Sequence, residues 1–427
     1  MELTLKRETF VTAYPPYSVL SAKNVSTIWE RRPINIYLHL PFCPKRCNFC
    51  YYRVEESKGG DEIAAYVDVL LQEIALLAER PEVQYCSMQT LYFGGGTPTM
   101  LTSEQFIKIV QALESIFPKT SDFEFNVEVR PGREATQEKL NTLKQLGVNR
   151  ISMGVQSLDD RVLKENGRNH LSKIFYDTYD RVRMAGFDWV NCDLMSGMLH
   201  ETEESWKNSV EALYGFGPEN ISIYKMEVFY NTKLFKKLRE NPEILVSDDV
   251  EAAHFRWARR FLESKGYFMS NNSSFVISPY YIDRHRENIQ YGGEMIGIGL
   301  SSHSSFNGSM YQNTSDMKEY VDMVTNGRLP ISRSYKLSKR DEIIRYVVMS
   351  FKNLKIKRQD FIDKFGVELT DVYGEQISDL TRKGLLRLDE DHLYLESEYY
   401  DFADDVARFF YPTHLQEDML AHISRKG

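Results

Sequence analysis

The feature that most constrains this chain is the segment LHLPFCPKRCNFCYY, residues 38–52, which holds three of the five cysteines within eight positions. Cys43, Cys47 and Cys50 are spaced Cys-x3-Cys-x2-Cys, while Cys86 and Cys192 lie far along the chain. Five cysteines with three clustered are not the framework of a disulfide-stabilised fold. In a reducing compartment, a cluster of this kind is typical of metal ligation.

The cysteine spacing narrows the kind of metal site. Structural zinc usually needs four protein ligands, and no second Cys-x2-Cys or His-x3-His pair follows to complete them. Three thiolates on one short loop can instead bind three irons of a four-iron, four-sulfur cluster and leave the fourth iron open. The alternatives are a zinc site that borrows Cys86 or Cys192, or a chance grouping of cysteines. The cluster interpretation predicts chemistry at the open iron in addition to electron storage.

Length, charge and hydropathy exclude several other classes of protein. The chain has 427 residues, 42% of them hydrophobic, which is enough for two or three domains. Its net charge of −8 does not favour nucleic-acid binding, and its apolar runs are too short for a membrane span. The N-terminal sequence MELTLKRETFVTAYPPY has no apolar signal core, so we expect a cytoplasmic protein.

Alternating apolar and polar residues predict strands, and helical spacing predicts the segments between them. Helices are predicted from the apolar spacing of residues 63–77 and at 103–116, 135–146, 172–185 and 203–215. Strand and helix alternate in a manner typical of a parallel α/β barrel, complete or partial, in which reacting groups collect at the carboxyl ends of the strands. The six predicted strands are INIYLHL, TLYFGGGTPT, FEFNVEV, RISMGVQS, WVNCDLM and NISIYKME.

The cysteine motif, together with IYLHLPFC, LYFGGGTPT and ISMGVQS, resembles the radical S-adenosylmethionine (SAM) superfamily and, within it, the oxygen-independent coproporphyrinogen oxidase (HemN-like) family. The resemblance runs from about residue 34 to the C-terminus. It implies an α/β fold with a partial (β/α)6 TIM-like barrel, a [4Fe–4S] cluster and two molecules of SAM. In that superfamily, one electron from the cluster cleaves SAM into methionine and a 5′-deoxyadenosyl radical.

The resemblance also implies roles for individual residues, each of which has a plainer structural explanation. A glycine run is often only a tight turn, and a single strand Glu or aromatic residue is often only part of a core. Cys43, Cys47 and Cys50 correspond to the cluster ligands. The first SAM would be bound by Tyr37, Phe49, Gly95, Gly96, Thr97 and Glu128, the second by Gln156, Arg168 and Asp193, and Glu227 and His303 would lie near both.

The domain organisation follows from changes in composition. We expect a lead-in segment at 1–33, a radical SAM barrel with a substrate-facing extension at 34–326, and a helical, winged-helix-like lid domain at 327–427. Residues 268–305, rich in Asn, Ser and Tyr, suit a loop over the substrate, or else an ordinary connector. The resemblance implies a small-molecule substrate and an electron donor such as flavodoxin or ferredoxin, with no nucleic-acid or membrane partner.

The reaction is a choice among three interpretations. The oxidase pattern has a further cysteine two residues after the third, where this chain has CYYR, with Tyr51 and Tyr52. This departure favours the relatives that became class C radical SAM methyltransferases and cyclopropanases, which transfer a methyl or methylene group to an sp2 carbon. Coproporphyrinogen decarboxylation comes second, and a non-catalytic heme chaperone third. Arg130 and Arg133, in EVRPGR, suit the carboxylates of an acidic substrate or are merely solvated.

Overall fold

A computed structural model describes residues 14–16, 19–21, 33–57, 59–80, 83, 85–168 and 170–412. The expected lead-in segment 1–33 therefore lies largely outside the described residues. The strands are β1 Pro33–Leu40, β2 Phe42–Cys43, β3 Glu55–Glu56, β4 Ser87–Gly95, β5 Lys119–Val129, β6 Arg150–Gln156, β7 Val190–Ser196, β8 Asn220–Lys225, β9 Phe268–Met269, β10 Ser274–Val276, β11 Met295–Ile298, β12 His303–Phe306, β13 Ser309–Asn313, β14 Ile331–Lys336, β15 Lys355–Lys357, β16 Leu386–Leu388 and β17 His392–Leu395.

The helices are α1 Asp61–Ala78, α2 Ser103–Ile116, α3 Gln137–Gln145, α4 Asp160–Glu165, α5 Ser172–Met184, α6 Glu203–Gly215, α7 Lys233–Glu240, α8 Asp248–Ser264, α9 Arg284–Gln290, α10 Met317–Thr325, α11 Lys339–Ser350, α12 Arg358–Phe365, α13 Leu369–Arg382 and α14 Ala403–Ala407. The helices predicted between the barrel strands are confirmed as α1, α2, α3, α5 and α6. Among the described residues, none of these helices is both long and apolar enough to cross a bilayer.

A twelve-stranded sheet forms the barrel, in the order β14-β13-β12-β11-β1-β4-β5-β6-β7-β8-β10-β9. The six predicted strands, β1 and β4 to β8, are parallel to one another, which confirms the predicted parallel α/β barrel. The sequence pattern missed β11, which pairs in parallel with β1 and adds a seventh parallel strand. Antiparallel strands then extend both edges of the sheet.

Apolar and polar residues alternate along each strand, so that apolar side chains face the hydrophobic core and polar side chains face the barrel interior. The apolar residues of β1, for example Ile34, Ile36 and Leu38, are fully buried in the main hydrophobic core. The intervening positions are polar and face the barrel interior, where they hydrogen-bond across strands, as between Ser152 Oγ and Asn126 Oδ1 at 3.1 Å. The interior layer near the amino ends of the strands consists of Asn35, Thr90, Asn126, Ser152, Asn191, Ser222 and Ser274.

The segment 268–305 differs from both expectations for it, because its short helix α9 closes the barrel from within. His285 Nδ1 lies 2.6 Å from Thr90 Oγ1, and Asn288 donates to Asn35 at 3.1 Å. Asp283, which caps α9, pairs with the buried Arg150 at 3.2 Å. These partners belong to the amino-terminal halves of the strands, so this part of the segment is a polar plug beneath the site and not a loop over it.

The C-terminal region forms a compact module with its own hydrophobic core. Helices α11, α12 and α13 precede the predicted hairpin β16–β17, and β15 joins it to make a three-stranded sheet. The module contacts α8 through Arg256 and Asp401 at 3.0 Å, and the end of α9 through Lys364 Nζ and the Gly292 carbonyl at 3.0 Å. Because α9 occupies the amino-terminal end of the barrel, this contact places the module near that end, and its role as a lid stays a prediction.

Candidate functional site

The three motif cysteines lie on a half-buried loop that leaves β1 at the carboxyl end of the barrel. Short parallel pairing of β2 with β3 fixes its first cysteine, whose carbonyl accepts from the Ser57 N–H at 3.0 Å. The guanidinium of Arg46 donates to the carbonyl of Cys50 at 2.8 and 3.1 Å. The backbone is therefore held at both ends of the motif, which keeps the thiols in one place.

The thiols fit a cluster better than a single metal ion. Ligands of one tetrahedral zinc lie about 3.8 Å apart, given Zn–S bonds of about 2.3 Å. Among the described residues, no three His, Cys, Asp or Glu side chains are arranged to hold one metal ion. Cys86 and Cys192 are buried in the main hydrophobic core, so the zinc site that would borrow one of them is wrong. The three thiols of one loop instead suit three irons of a four-iron, four-sulfur cluster.

Burial affects the protonation of Cys43 and Cys50. It raises the pKa of the Cys43 thiol to about 11 and also raises the pKa of Cys50, and neighbouring thiols add to both shifts. The Cys43 sulfur lies 3.3 Å from Thr97 Oγ1, a contact that opposes the shift. Because iron binds the thiolate form, loading of the site must release protons.

The glycine turn that ends β4 packs directly on the cysteine loop. The Gly96 N–H donates to the Leu40 carbonyl at 2.7 Å. A Cβ on Gly96 would lie 2.4 Å from the Phe42 carbonyl oxygen and 3.1 Å from the Cys43 sulfur, so no larger residue fits. Gly95 has φ of +111°, which disfavours any residue with a side chain. Gly96 and Thr97 therefore lie next to the first cysteine, and the binding of SAM by Gly95, Gly96 and Thr97 stays a prediction.

Glu128 lies beside that turn. Its carboxylate accepts from Tyr92 Oη at 2.9 Å and from the Gly95 N–H at 3.1 Å. Burial raises the pKa of Glu128 to about 7, against the opposing effect of the Tyr92 hydrogen bond. Tyr37 reaches the same position, since a Cβ on Gly94 would lie 2.9 Å from its ring. Tyr37, Glu128 and the glycine turn therefore form one side of the site.

Arg168, Gln156 and Asp193 form the other side. The Arg168 guanidinium lies 3.5 Å from the Cys47 sulfur and donates to the Gly154 carbonyl. Gln156 adopts φ of 70°, and its Oε1 is buried without a hydrogen-bond partner among the described residues. Asp193 is paired in register with Gly154 and accepts from Asn191 at 2.8 Å, and burial raises the pKa of its carboxyl. The three residues predicted for a second SAM are thus close together.

The three remaining predicted residues lie nearer the edges of the site. The Phe49 ring packs on a small apolar cluster that includes Met226 and Leu234, so the side chain belongs to the core. Glu227 follows β8 and is near enough to Tyr51 for its charge to help burial raise that tyrosine's pKa. His303 begins β12 near His39, and burial lowers its pKa to about 3.

Several site residues were not singled out from the sequence. Tyr92 supports Glu128, Arg46 fixes the Cys50 carbonyl, and the Asn48 side chain ties the cysteine loop to the Glu165 carbonyl at 3.0 Å. His170 is buried between Arg130 and Arg168, which together with burial lower its pKa to about 2. Of these residues, only Tyr92 could have been predicted from the sequence. It precedes Gly94 by two residues, and strand alternation places both on the same face.

Comparison with known proteins agrees with this geometry. The radical SAM superfamily matches residues 37–213, and the HemN C-terminal domain matches residues 337–398. The chain is 27% identical over 366 residues to the heme chaperone HemW of Bacillus subtilis, covering 84% of this chain and 94% of the relative. It is 28% identical over 351 residues to an oxygen-independent coproporphyrinogen III oxidase of Cereibacter sphaeroides, covering 77% and 76% respectively.

The solved structure of coproporphyrinogen III oxidase (HemN) from Escherichia coli has the same fold, with a TM-score of 0.82 and 23% identity over 94% of this chain and 96% of that one. These relatives do not support the expected class C methyltransferase branch. The superfamily uses a [4Fe–4S] cluster and SAM, and the three free thiols of one loop and the glycine turn packed against it fit both. This chain therefore contains a radical SAM domain followed by a HemN C-terminal domain.

Proposed function

We propose that this protein carries out radical SAM chemistry on a tetrapyrrole, in the manner of an oxygen-independent coproporphyrinogen III oxidase. The observation that carries this proposal is the contact of Arg168 with the Cys47 sulfur, which joins the cysteine loop to the side bearing Gln156 and Asp193. The cysteine loop, which suits a cluster, is therefore adjacent to the polar side chains of Gln156 and Asp193, which suit a polar ligand. The substrate class comes from the oxidase relative, at 28% identity.

The roles of this chain's residues follow from their contacts. The thiolates of Cys43, Cys47 and Cys50 would hold three irons, and a reduced cluster with bound SAM supplies a 5′-deoxyadenosyl radical. Ionised Glu128 is suited to accept hydrogen bonds from a ribose diol or an ammonium group. The plug formed by α9 fills the barrel below these groups, which keeps water from entering from that end.

A heme chaperone is the second candidate. Tyr51 and Tyr52 occupy the positions after Cys50 where the oxidase pattern has a further cysteine, and their rings stack with centroids 4.3 Å apart. His303 lies near His39, and burial keeps both imidazoles neutral, the form that binds iron. The chaperone relative of Bacillus subtilis also aligns over 94% of its own length. Methyl or methylene transfer, first by sequence alone, now ranks third.

The deciding experiment follows products under anaerobic conditions. The reconstituted protein is given dithionite, SAM with a deuterated methyl group, and coproporphyrinogen III, with the Cys43→Ala variant as control. We expect unlabelled 5′-deoxyadenosine and release of carbon dioxide, both absent from the variant. Tight binding of added heme, without decarboxylation, would favour the chaperone. Deuterium in 5′-deoxyadenosine, together with S-adenosylhomocysteine, would favour methyl transfer.

A further inference from the structure

Arg130 is a buried cation whose hydrogen-bonding capacity is largely unused. It follows Glu128 by two residues on the same side of the chain, and only 7% of its surface is exposed. Its Nε and Nη2 atoms are buried and have no hydrogen-bond partner among the described residues. Arg133, three residues later, is 88% exposed at its side chain and pairs with Glu134 at 3.6 Å. Two arginines of one short segment thus have opposite environments.

Arg130 lies near one other cation and three groups that can carry negative charge. Burial lowers the pKa of Arg130, Arg168 lowers it further, and Cys47, Cys43 and Glu134 oppose the shift, so all four groups are within electrostatic reach. His170 beside the two arginines is neutral, because its pKa is lowered to about 2. Glu134 already faces Arg133. The site therefore holds two guanidinium cations, Arg130 and Arg168, near the thiols of Cys43 and Cys47.

A loaded cluster would balance the charge of these cations in part or in full, since a four-iron core bound by three thiolates would carry a net charge of about −1 when oxidised and about −2 when reduced by one electron. That charge alone does not provide partners for the buried Nε and Nη2 donors of Arg130, which have none among the described residues. A buried charge without a hydrogen-bonded counter-ion is strongly unfavourable. A guanidinium with adjacent free N–H groups matches a planar carboxylate, which it binds through two parallel hydrogen bonds.

We propose that Arg130 binds a carboxylate at the barrel mouth, next to Cys43, Cys47 and Arg168. The carboxylate has two chemical sources, the amino-acid group of a SAM molecule and an acidic side chain of the substrate. The substrate as source rests on the proposed function, since a coproporphyrinogen carries propionates. SAM as source does not depend on that function. Arg130 adds a binding residue to a site whose other members were recognised by their motifs.

The test measures how much each ligand's affinity depends on its carboxylate. Dissociation constants are determined for SAM against decarboxylated SAM, and for coproporphyrin III against its tetramethyl ester, with the anaerobically reconstituted full-length protein. Arg130→Gln is compared with Arg133→Gln, the matched control three residues away. We expect Arg130→Gln to lower the preference for the carboxylate form in one ligand pair by about tenfold or more, the effect of one charge-assisted hydrogen bond. Arg133→Gln should leave both preferences unchanged.

The ligand pair that responds identifies the source of the carboxylate. Unchanged preferences in both pairs, in an Arg130→Gln protein with full iron content, would overturn the proposal and leave Arg130 as a counter-charge to the cluster only. If Arg130→Gln does not take up iron, the same comparison is made with Arg130→Met, which keeps a long side chain without the charge, and an unchanged preference there would equally overturn the proposal. The wild-type protein could also bind neither porphyrin while its preference for SAM over decarboxylated SAM still depends on Arg130. That result would reject the tetrapyrrole function and support the carboxylate site.

Discussion

Glu128 and Asp193 project from β5 and β7 into the same barrel interior, and burial raises the pKa of both carboxyls. For Glu128 the raised pKa of about 7 lies close to physiological pH, so small changes in pH alter its charge. Asp193 is held by Asn191, and Glu128 by Tyr92 and Gly95. At the scale of the residue, the site is thus made of polar groups whose charge depends on what binds beside them.

The pH dependence of SAM binding should report the ionisation of Glu128. If the carboxylate form accepts hydrogen bonds from SAM, affinity should rise about tenfold between one pH unit below and one unit above its pKa of about 7. Glu128→Gln should bind weakly at every pH and show no such rise. Calorimetry between pH 6 and pH 8 measures this, with the exposed Glu104→Gln as control. A pH-independent wild type would contradict the role given to Glu128.

Each motif cysteine should be required for the cluster. Changing Cys43, Cys47 or Cys50 to Ala should reduce bound iron from about four per chain towards zero, because one of three ligands is lost. Iron analysis and the visible absorbance of the reconstituted proteins measure the loss. Cys86→Ala and Cys192→Ala are the controls, since both thiols lie in the apolar core, and they should retain full iron. Loss of iron in a control but not in a motif variant would contradict the assignment of Cys43, Cys47 and Cys50 as cluster ligands.

At the scale of the element, α9 is the unexpected part of the barrel. It has seven residues, which is too short to be stable alone, and its partners come from several strands. Asp283 accepts from the Arg286 N–H at 2.9 Å at the start of the helix and also pairs with Arg150, whose side chain is 2% exposed. One carboxylate therefore caps the helix and neutralises a cation in the barrel interior.

Asp283→Asn should be strongly destabilising although it is nearly isosteric. The change removes the carboxylate that is paired with the buried Arg150; breaking a buried pair typically costs about 3 to 5 kcal/mol, and the neighbouring Glu124 carboxyl offsets part of that loss. Denaturant unfolding measures the loss. The matched control is Asp322→Asn, because its pair with Arg328 is 63% and 60% exposed and should leave stability unchanged. Equal stability of the two variants would show that α9 is not held by this pair.

At the scale of the whole molecule, the two largest hydrophobic cores stabilise different parts of the chain. The larger core lies between the barrel and its helices, and the smaller lies inside the C-terminal module, where Tyr14 from the lead-in segment is also buried. Tyr14 and Tyr411 have ring centroids 5.1 Å apart. The module contacts elements at the amino-terminal end of the barrel, away from the cysteine loop, so its stability and the loading of the cluster should be separable.

Phe361→Ala should destabilise the C-terminal module without affecting the loading of the cluster. Phe361 is fully buried in the smaller core, and its truncation should cost about 3 to 5 kcal/mol in that module. Calorimetric unfolding should show an earlier transition for the module, while iron content stays near the wild-type value. Val367→Ala, at a residue 39% exposed in the same module, is the control. Loss of iron in parallel with unfolding of the module would instead show that it supports the site.

Local sequence determined the strands, the helices between them, the cysteine loop and the glycine turn. Each of these is set by interactions among near neighbours: period-two alternation, helical spacing, short metal-ligand spacing and a positive φ at Gly95. Only the tertiary structure decided that α9 fills the barrel, that the C-terminal module packs near it, and that Arg130 is buried while Arg133 is exposed. Those outcomes depend on contacts between distant segments, such as Arg150 with Asp283, which leave no periodic trace in the sequence.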